Sequence, residues 1–321
     1  MIFPAVFSIL LTLSNVSLSD LLSPAKAELI IQGQRKILNC RWQEAHEFFD
    51  DLQRLTPDDP AGCLFRAAAL QAEMIDREEN LYGAEMFLLC DSVVYLSEER
   101  LKHCTARDSA ICYLYLGHQD AQRALWEKRF GSSLSAFSFA VKSRNAYQKG
   151  VEVDSSLYDL YLGLGLYHYW KSVKSGLLKL TGIFKDERAK GMREVSLAAD
   201  SSLYFKEAAR SALIWIMINE EHYDSAIALS RAMLAEYPDG NSFLWPLGEA
   251  LYENREYNES IIIYEKLLNR LKGEPGNYYN VIECVYRLYQ AYRKMGEGDK
   301  LSPEIEYLSA VSYTHLTLPT N

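Results

Sequence analysis

The chain has 321 residues, with 34 Lys and Arg against 43 Asp and Glu, a formal charge of −9, and 49% hydrophobic residues. An acidic balance excludes wholesale coating of a nucleic-acid backbone, which rewards clustered Lys and Arg through counterion release. With 9 Pro, 17 Gly, 22 Tyr and 12 Phe, the composition also excludes a disordered or fibrous chain and is ample for a packed interior.

Every Asp, Glu, Lys and Arg lies between Asp20 and Glu306, so the two ends read separately. From Ile2 to Leu13 the chain is apolar except for Pro4, Ser8 and Thr12, and SNVSLS follows. This stretch is too short to span a bilayer. Its length, with small Ser17 and Ser19 before a cut, points to a signal peptide over residues 1–19 and to export to a periplasm or cell envelope. The opening Lys or Arg of such signals is missing, and the alternative is a cytoplasmic protein with a frayed start.

Between the ends, apolar residues recur at helical spacing and no period-2 alternation with turn signals repeats, so the expectation is all-α. A first pair carries Gly33, Trp42, Ala45, Phe49, Leu52 and Pro57, in a register starting at Lys26. Residues 60–106 read as a long helical pair. Residues 110–155 hold Leu116-Gly117 followed by Ala121 and Ala124, and the second helices of both pairs read as longer than standard. A fourth pair opens with YLGLGLYHYW, including Leu164 and Gly165, and places Val195 and Ala198 late in its second helix.

Within that pair lies an insert, residues 171–190, KSVKSGLLKLTGIFKDERAK. It has six Lys and Arg, two acids, and apolar Val173, Leu177, Leu178, Leu180, Ile183 and Phe184. Three readings are open: an amphipathic element on an anionic membrane, a docking element for a partner, or a segment whose apolar side folds onto the acidic, aromatic groove of the protein with its lysines solvated.

A 34-residue register then begins at Glu207, Asn241 and Pro275. The unit at Asn241 is the clearest. Leu244, Leu247, Gly248 and Leu251 share one face of a first helix, a polar turn spans Glu253 to Glu256, and Tyr257, Ser260, Tyr264 and Leu267 share a face of the second. Small Gly248 and Ser260 sit where the two helices cross closely, and Asn258 is the expected cap of the second helix. The unit before it supplies Leu213, Tyr223, Ala226 and Pro238, with Ile214 at the small-residue position. After Pro275, YYNVIECVYRLYQAYRKMGEGD reads as a helix stopped by Gly296 and Gly298, with Ser302-Pro303-Glu304 starting another. Val311 to Asn321, VSYTHLTLPTN, resembles the translation of a transposase-end adapter used in sequencing libraries. Residues 310–321 are therefore set aside as a scar on a truncated end, and fold reasoning covers 20–309.

These residues resemble the tetratricopeptide repeat (TPR): a large residue at position 4, Leu-Gly at 7 and 8, an aromatic near 11 or 17, Ala at 20, an aromatic at 24 and Pro at 32. The resemblance implies an all-α, right-handed helical superhelix, one continuous α-solenoid of about seven helix pairs with the last cut short. It also implies a concave face lined from the first helix of each pair. Carried over, the groove positions are Tyr169 and Trp170, then Trp215 and Asn219. Further along they are Trp245, Glu249, Tyr252 and Glu253, and in the last unit Tyr279, Glu283, Tyr286 and Arg287. Aromatics among carboxylates suit a protein or peptide partner with a basic-aromatic segment, since Trp and Tyr offer apolar area with a polar edge.

Nothing in the sequence marks a catalytic, metal or cofactor site. The cysteines at 40, 63, 90, 104, 112 and 284 form no C-x-x-C, and the six His form no H-E-x-x-H. Most of the cysteines read as small buried hydrophobes, and Cys104 and Cys112 flank a short turn where an exported chain would allow a pair. Glu44, His46 and Glu47 lack further ligands for an ion. Glu220, Glu221, His222 and Asp224 read as a solvated turn with Asp224 as a cap. No P-loop, G-x-S-x-G or dinucleotide fingerprint is present. The expectation is a non-enzymatic scaffold. Its alternatives are a membrane-peripheral assembly factor acting through 171–190, and the helical part of a truncated enzyme.

Overall fold

The computed structural model describes residues 23–174, 185–274, 276–297 and 300. The expectations placed on residues 1–19, on the apolar part of the insert from Leu177 to Phe184, on Ser302 to Glu304 and on 310–321 lie outside these residues.

The described residues form thirteen α-helices and no strand. In chain order they are α1 (Pro24–Leu38), α2 (Trp42–Leu55), α3 (Pro60–Arg77), α4 (Gly83–Leu101), α5 (Ala106–Phe130), α6 (Ser133–Val153) and α7 (Leu160–Lys174). There follow α8 (Arg188–Ser201), α9 (Lys206–Asn219), α10 (Tyr223–Glu236), α11 (Asn241–Glu253), α12 (Tyr257–Leu271) and α13 (Tyr278–Lys294). Six complete pairs and the first helix of a seventh match the expected all-α array of helix pairs. The chain divides into two compact units, one of residues 1–73 and 80–213, the other of 74–79 and 214–321.

In the first unit, α1 starts where Ser23 accepts the Lys26 amide at 3.2 Å and Pro24 takes the first helical position, which needs no amide donor. Its Leu29 and Ile30, with Phe49 and Leu52 of α2, are fully buried. Beside them Lys26 and Asp59 form a buried ion pair, and Asp59 also accepts the Ala61 amide at 2.9 Å. Removing one member of such a pair leaves a bare buried charge, a cost of about 3–5 kcal/mol. Asp159 plays a similar role by hydrogen bonds alone. Its carboxylate accepts the amides of Leu203, Tyr204 and Phe205 at 2.8, 2.6 and 3.1 Å, in the bend that leads into α9.

The α7–α8 pair crosses backbone to backbone: a Cβ on Gly165 would stand 2.7 Å from the Gly191 carbonyl oxygen. Both helices of the two preceding pairs are extended, not only the second ones, and α5 with α6 is the longest hairpin at 25 and 21 residues. Arg123 links three helices there, with its guanidinium over the Phe87 and Phe139 rings and 2.6 Å from Asp91. His118 lies partly buried on the Phe205 ring, centroids 4.2 Å apart, with its Nδ1 3.4 Å from the Tyr147 hydroxyl. Burial lowers its pKa to about 4, so it is neutral near pH 7.

In the second unit, the Gly248 and Ser260 crossing read from the sequence is present. Ser260 Oγ donates to the Gly248 carbonyl at 2.9 Å, and a Cβ on Gly248 would press to 2.8 Å from the Tyr264 ring. Around it Leu244, Leu267, Leu268, Val281, Val285 and Leu288 form a buried core. Pro246 lies inside helix α11, a position where proline costs one backbone hydrogen bond.

Two capping expectations are corrected. His222 and Glu256 occupy the N-cap positions of α10 and α12, without a side-chain bond. Asp224 and Asn258 lie inside the first turns, and Asp224 accepts from Asn254 Nδ2 at 3.1 Å. The turns are shaped from the other side. Glu221 and Arg255 take positive φ, 61° and 65°, and the amides that follow reach back to Met217 and Leu251 carbonyls at 2.8 Å each. This left-handed closure usually uses Gly. Gly296 does so after α13, at φ 74°.

Candidate interaction surface

The first helices of the second unit's pairs bring most of the predicted groove residues onto its surface. On α9, Trp215 is 41% exposed and Asn219, one turn on, is also exposed. On α11, Trp245 is half-buried, edge-on to the Tyr264 ring at 6.0 Å, and therefore also part of the core. Glu249 lies one turn further. It accepts from the Tyr264 hydroxyl at 3.2 Å and from Arg287 of α13 at 2.8 Å. Arg287 also donates through Nε to Glu283 at 2.9 Å, so one guanidinium bridges two helices and two carboxylates.

Tyr252 and Glu253 complete the α11 face. Tyr252 packs edge-on against Tyr257, centroids 5.6 Å apart, while Glu253 is exposed. Burial, then the charge of Glu253, raises the pKa of the Tyr252 phenol, with Glu249 adding to it. The Tyr223 phenol of α10 is raised too, by burial and then by Glu253, Glu221 and Glu249. Four carboxylates, Glu221, Glu249, Glu253 and Glu283, thus share this face with one partly buried arginine. On α13, Tyr279 and Tyr286 are 60% and 52% exposed and lie two turns apart on one side, with Ile282 between them.

The pair predicted on α7 belongs to the first unit and divides. Trp170 is half-buried, but Tyr169 is fully buried and presents no surface. Its backbone lies at the crossing that Gly165 and Gly191 allow: a Cβ on Gly191 would meet the Tyr169 amide nitrogen at 2.6 Å. So close an approach seals the ring between the helices, which corrects its placement in a groove.

Sequence reasoning passed over two other clusters. In the second unit, the Asp76 carboxylate takes both bonds from Asn241 Nδ2, at 3.2 and 3.3 Å, while the Asp76 backbone carbonyl accepts from Asn277 and Asn280 at 3.2 and 2.6 Å. Burial, then the charge of Glu274, raises its pKa to about 7. In the first unit, His168 Nδ1 stands 2.6 Å from Glu194 and its Nε2 3.3 Å from Lys190. The aromatic-rich stretch around His168 is visible in the sequence, but its partners are not.

His46 is paired with Glu73 at 2.6 Å and Glu44 with Lys36 at 2.8 Å, so Glu44 and His46 are turned to different neighbours. Among the described residues, no group of three His, Cys, Asp or Glu could hold a metal ion. No helix among them is long and apolar enough to cross a membrane. The six cysteines are free thiols. Burial raises those of Cys63, Cys90, Cys112 and Cys284, the latter three to about 11, 12 and 12, and the neighbouring Cys104 adds to the rise at Cys112. Such thiols carry almost no thiolate near neutral pH.

Neither a protein-family model nor a curated protein matches the chain in sequence. Among solved structures, the fold is similar to the crystal structure of the APC/C hetero-tetramer Cut9-Hcn1, a TPR solenoid. The TM-score is 0.57 at 13% identity, over 94% of this chain and 49% of that one. The chain therefore spans about half the length of the one it matches. The human IFIT1 dimer with PPP-AAAA gives a TM-score of 0.39 at 12% identity, over 84% of this chain and 69% of that one. The Cut9-Hcn1 likeness establishes the fold class, an all-α array of TPR-type helix pairs, and nothing about a partner.

Proposed function

We propose that the protein is a non-enzymatic TPR-type scaffold whose second unit holds a protein or peptide segment on the α11–α13 face. The observation that carries this reading is a set of carboxylates, Glu249, Glu253 and Glu283, on the same two helices as half-buried Tyr252 and exposed Tyr279 and Tyr286, with Arg287 bonding Glu249 and Glu283 while Glu253 stays exposed. Aromatic rings with polar edges supply binding area at low conformational cost, and uncompensated carboxylates select a Lys- or Arg-bearing partner. The partner is therefore a basic segment with aromatic residues.

Selection of random peptides on the full chain tests this. Basic-aromatic peptides are expected to be enriched, with binding that weakens as salt rises. Tyr286→Ala with Glu253→Lys changes two exposed side chains outside the core, so helicity by circular dichroism should hold while affinity falls about tenfold or more. Trp245→Ala is a poorer probe, because Trp245 also packs on Tyr264. No enrichment, or enrichment that the folded double variant retains, would refute the reading.

A further inference from the structure

The α5–α6 hairpin of the first unit ends in a surface that the peptide-binding reading does not use. Residues 121–150 hold six Lys and Arg against one acid, Glu127, in a chain whose formal charge is −9. That acid is turned inward: Glu127 accepts the Ser132 amide at 2.9 Å across the turn, and Ser132 in turn caps α6 by accepting the Ser135 amide at 3.2 Å. Around this closed turn the apolar side chains face solvent. Leu134 is 80% exposed, Phe137 59% and Leu125 54%.

The pattern is directional. On α6 the solvent face runs Leu134, Phe137, Ser138, Lys142, Asn145 and Lys149, all exposed, a spacing that keeps them on one stripe. Its apolar members are at the turn and its cations lie behind them. On α5, exposed Leu125 is followed by exposed Lys128 and Arg129, again beside the turn. The hairpin end is held rigidly, since Trp126 Nε1 donates to Asn80 at 3.0 Å and its ring packs edge-on to Phe87, 5.1 Å between centroids.

We infer that this hairpin end docks on an anionic lipid surface, with Leu125, Leu134 and Phe137 entering the interface and Lys128 and Arg129 lying at the level of the phosphates. Leu and Phe ringed by Lys and Arg is the composition of interfacial membrane elements. Protein hot spots favour Trp, Tyr and Arg and are poor in Leu, which is the chemistry of the second unit's face and not of this one. The acidic remainder of the chain does not prevent the contact, because charges more than about 10 Å from the lipid are screened at ordinary ionic strength.

Flotation of the full chain with phosphatidylcholine vesicles, with and without phosphatidylserine, tests the inference. The protein should float with the anionic vesicles at low salt and be released by high salt. Leu134→Asp with Phe137→Asp should reduce the bound fraction about tenfold or more, as should Lys128→Glu with Arg129→Glu. Leu88→Asp, on α4 and equally exposed to solvent, should leave it unchanged, and circular dichroism confirms that each variant is folded. Absence of flotation at low salt would overturn the inference. So would flotation that both double variants retain, which would assign binding to another part of the chain. Capture by immobilised poly-glutamate without flotation would assign the hairpin to an acidic protein and also overturn it.

Discussion

Asp76→Asn should make the protein more stable above neutral pH and leave it nearly unchanged in acid. Asp76 carries an ordinary carboxyl pKa of 3.8 when unfolded and about 7 when folded, burial being the main cause and Glu274 the second. Between those values the folded state binds the proton and the unfolded state does not, so unfolding free energy falls as pH rises. About three pH units at 1.36 kcal/mol each give a penalty of about 4 kcal/mol, complete just above pH 7. Asparagine removes the charge at nearly constant volume. It also suits its neighbour, because Asn241 Oδ1 is buried without a hydrogen-bond partner and a flipped Asn241 amide would accept from the new side chain. The assay is urea unfolding of both proteins from pH 4 to pH 8. The stability difference should start near zero and grow toward about 4 kcal/mol across this window. A difference that stays flat with pH, or that favours the native Asp76 as pH rises, would refute the placement of a protonated carboxyl beside Asn241.

His118 predicts the opposite slope. Its pKa falls from 6.5 to about 4 on folding, so the unfolded state takes up the proton first and stability is lost as pH falls through that window. His118→Phe should remove about 3 kcal/mol of this acid sensitivity. Its measure is the stability difference between pH 7 and pH 4, and an unchanged difference would refute the neutral imidazole packed on Phe205. At the α11–α12 turn, Arg255 holds a φ of 65°. Arg255→Gly should therefore raise the melting temperature, with a gain of about 0.5–1 kcal/mol, and a drop in melting temperature would contradict the left-handed turn.

Helix pairing was legible where a local pattern carries it. Leu244, Leu247 and Leu251 repeat at helical spacing, and Gly248 with Ser260 marks the crossing because the TPR register asks for small residues there. The same register located the exposed tyrosines of α13 and the carboxylates of α11. It failed at Tyr169, since position on a first helix says nothing about how deeply the next helix approaches. There Gly191, 22 positions away in sequence, decides. It failed also at the caps, because Asp224 and Asn258 are good capping types that the left-handed turns carried past the N-cap position.

By itself, then, the sequence determined that the chain is helical, that the helices pair, and where most pairs begin, since periodicity and small-residue spacing act over one or two turns. Tertiary structure alone decided which charged groups are paired or protonated. Asp76 and Asn241 are separated by 165 positions, and the desolvation that shifts a carboxyl exists only once distant helices have closed around it. The same holds for the α5–α6 end: its leucines and lysines are plain in the sequence, but only packing of the opposite faces leaves Leu134 and Phe137 together in solvent.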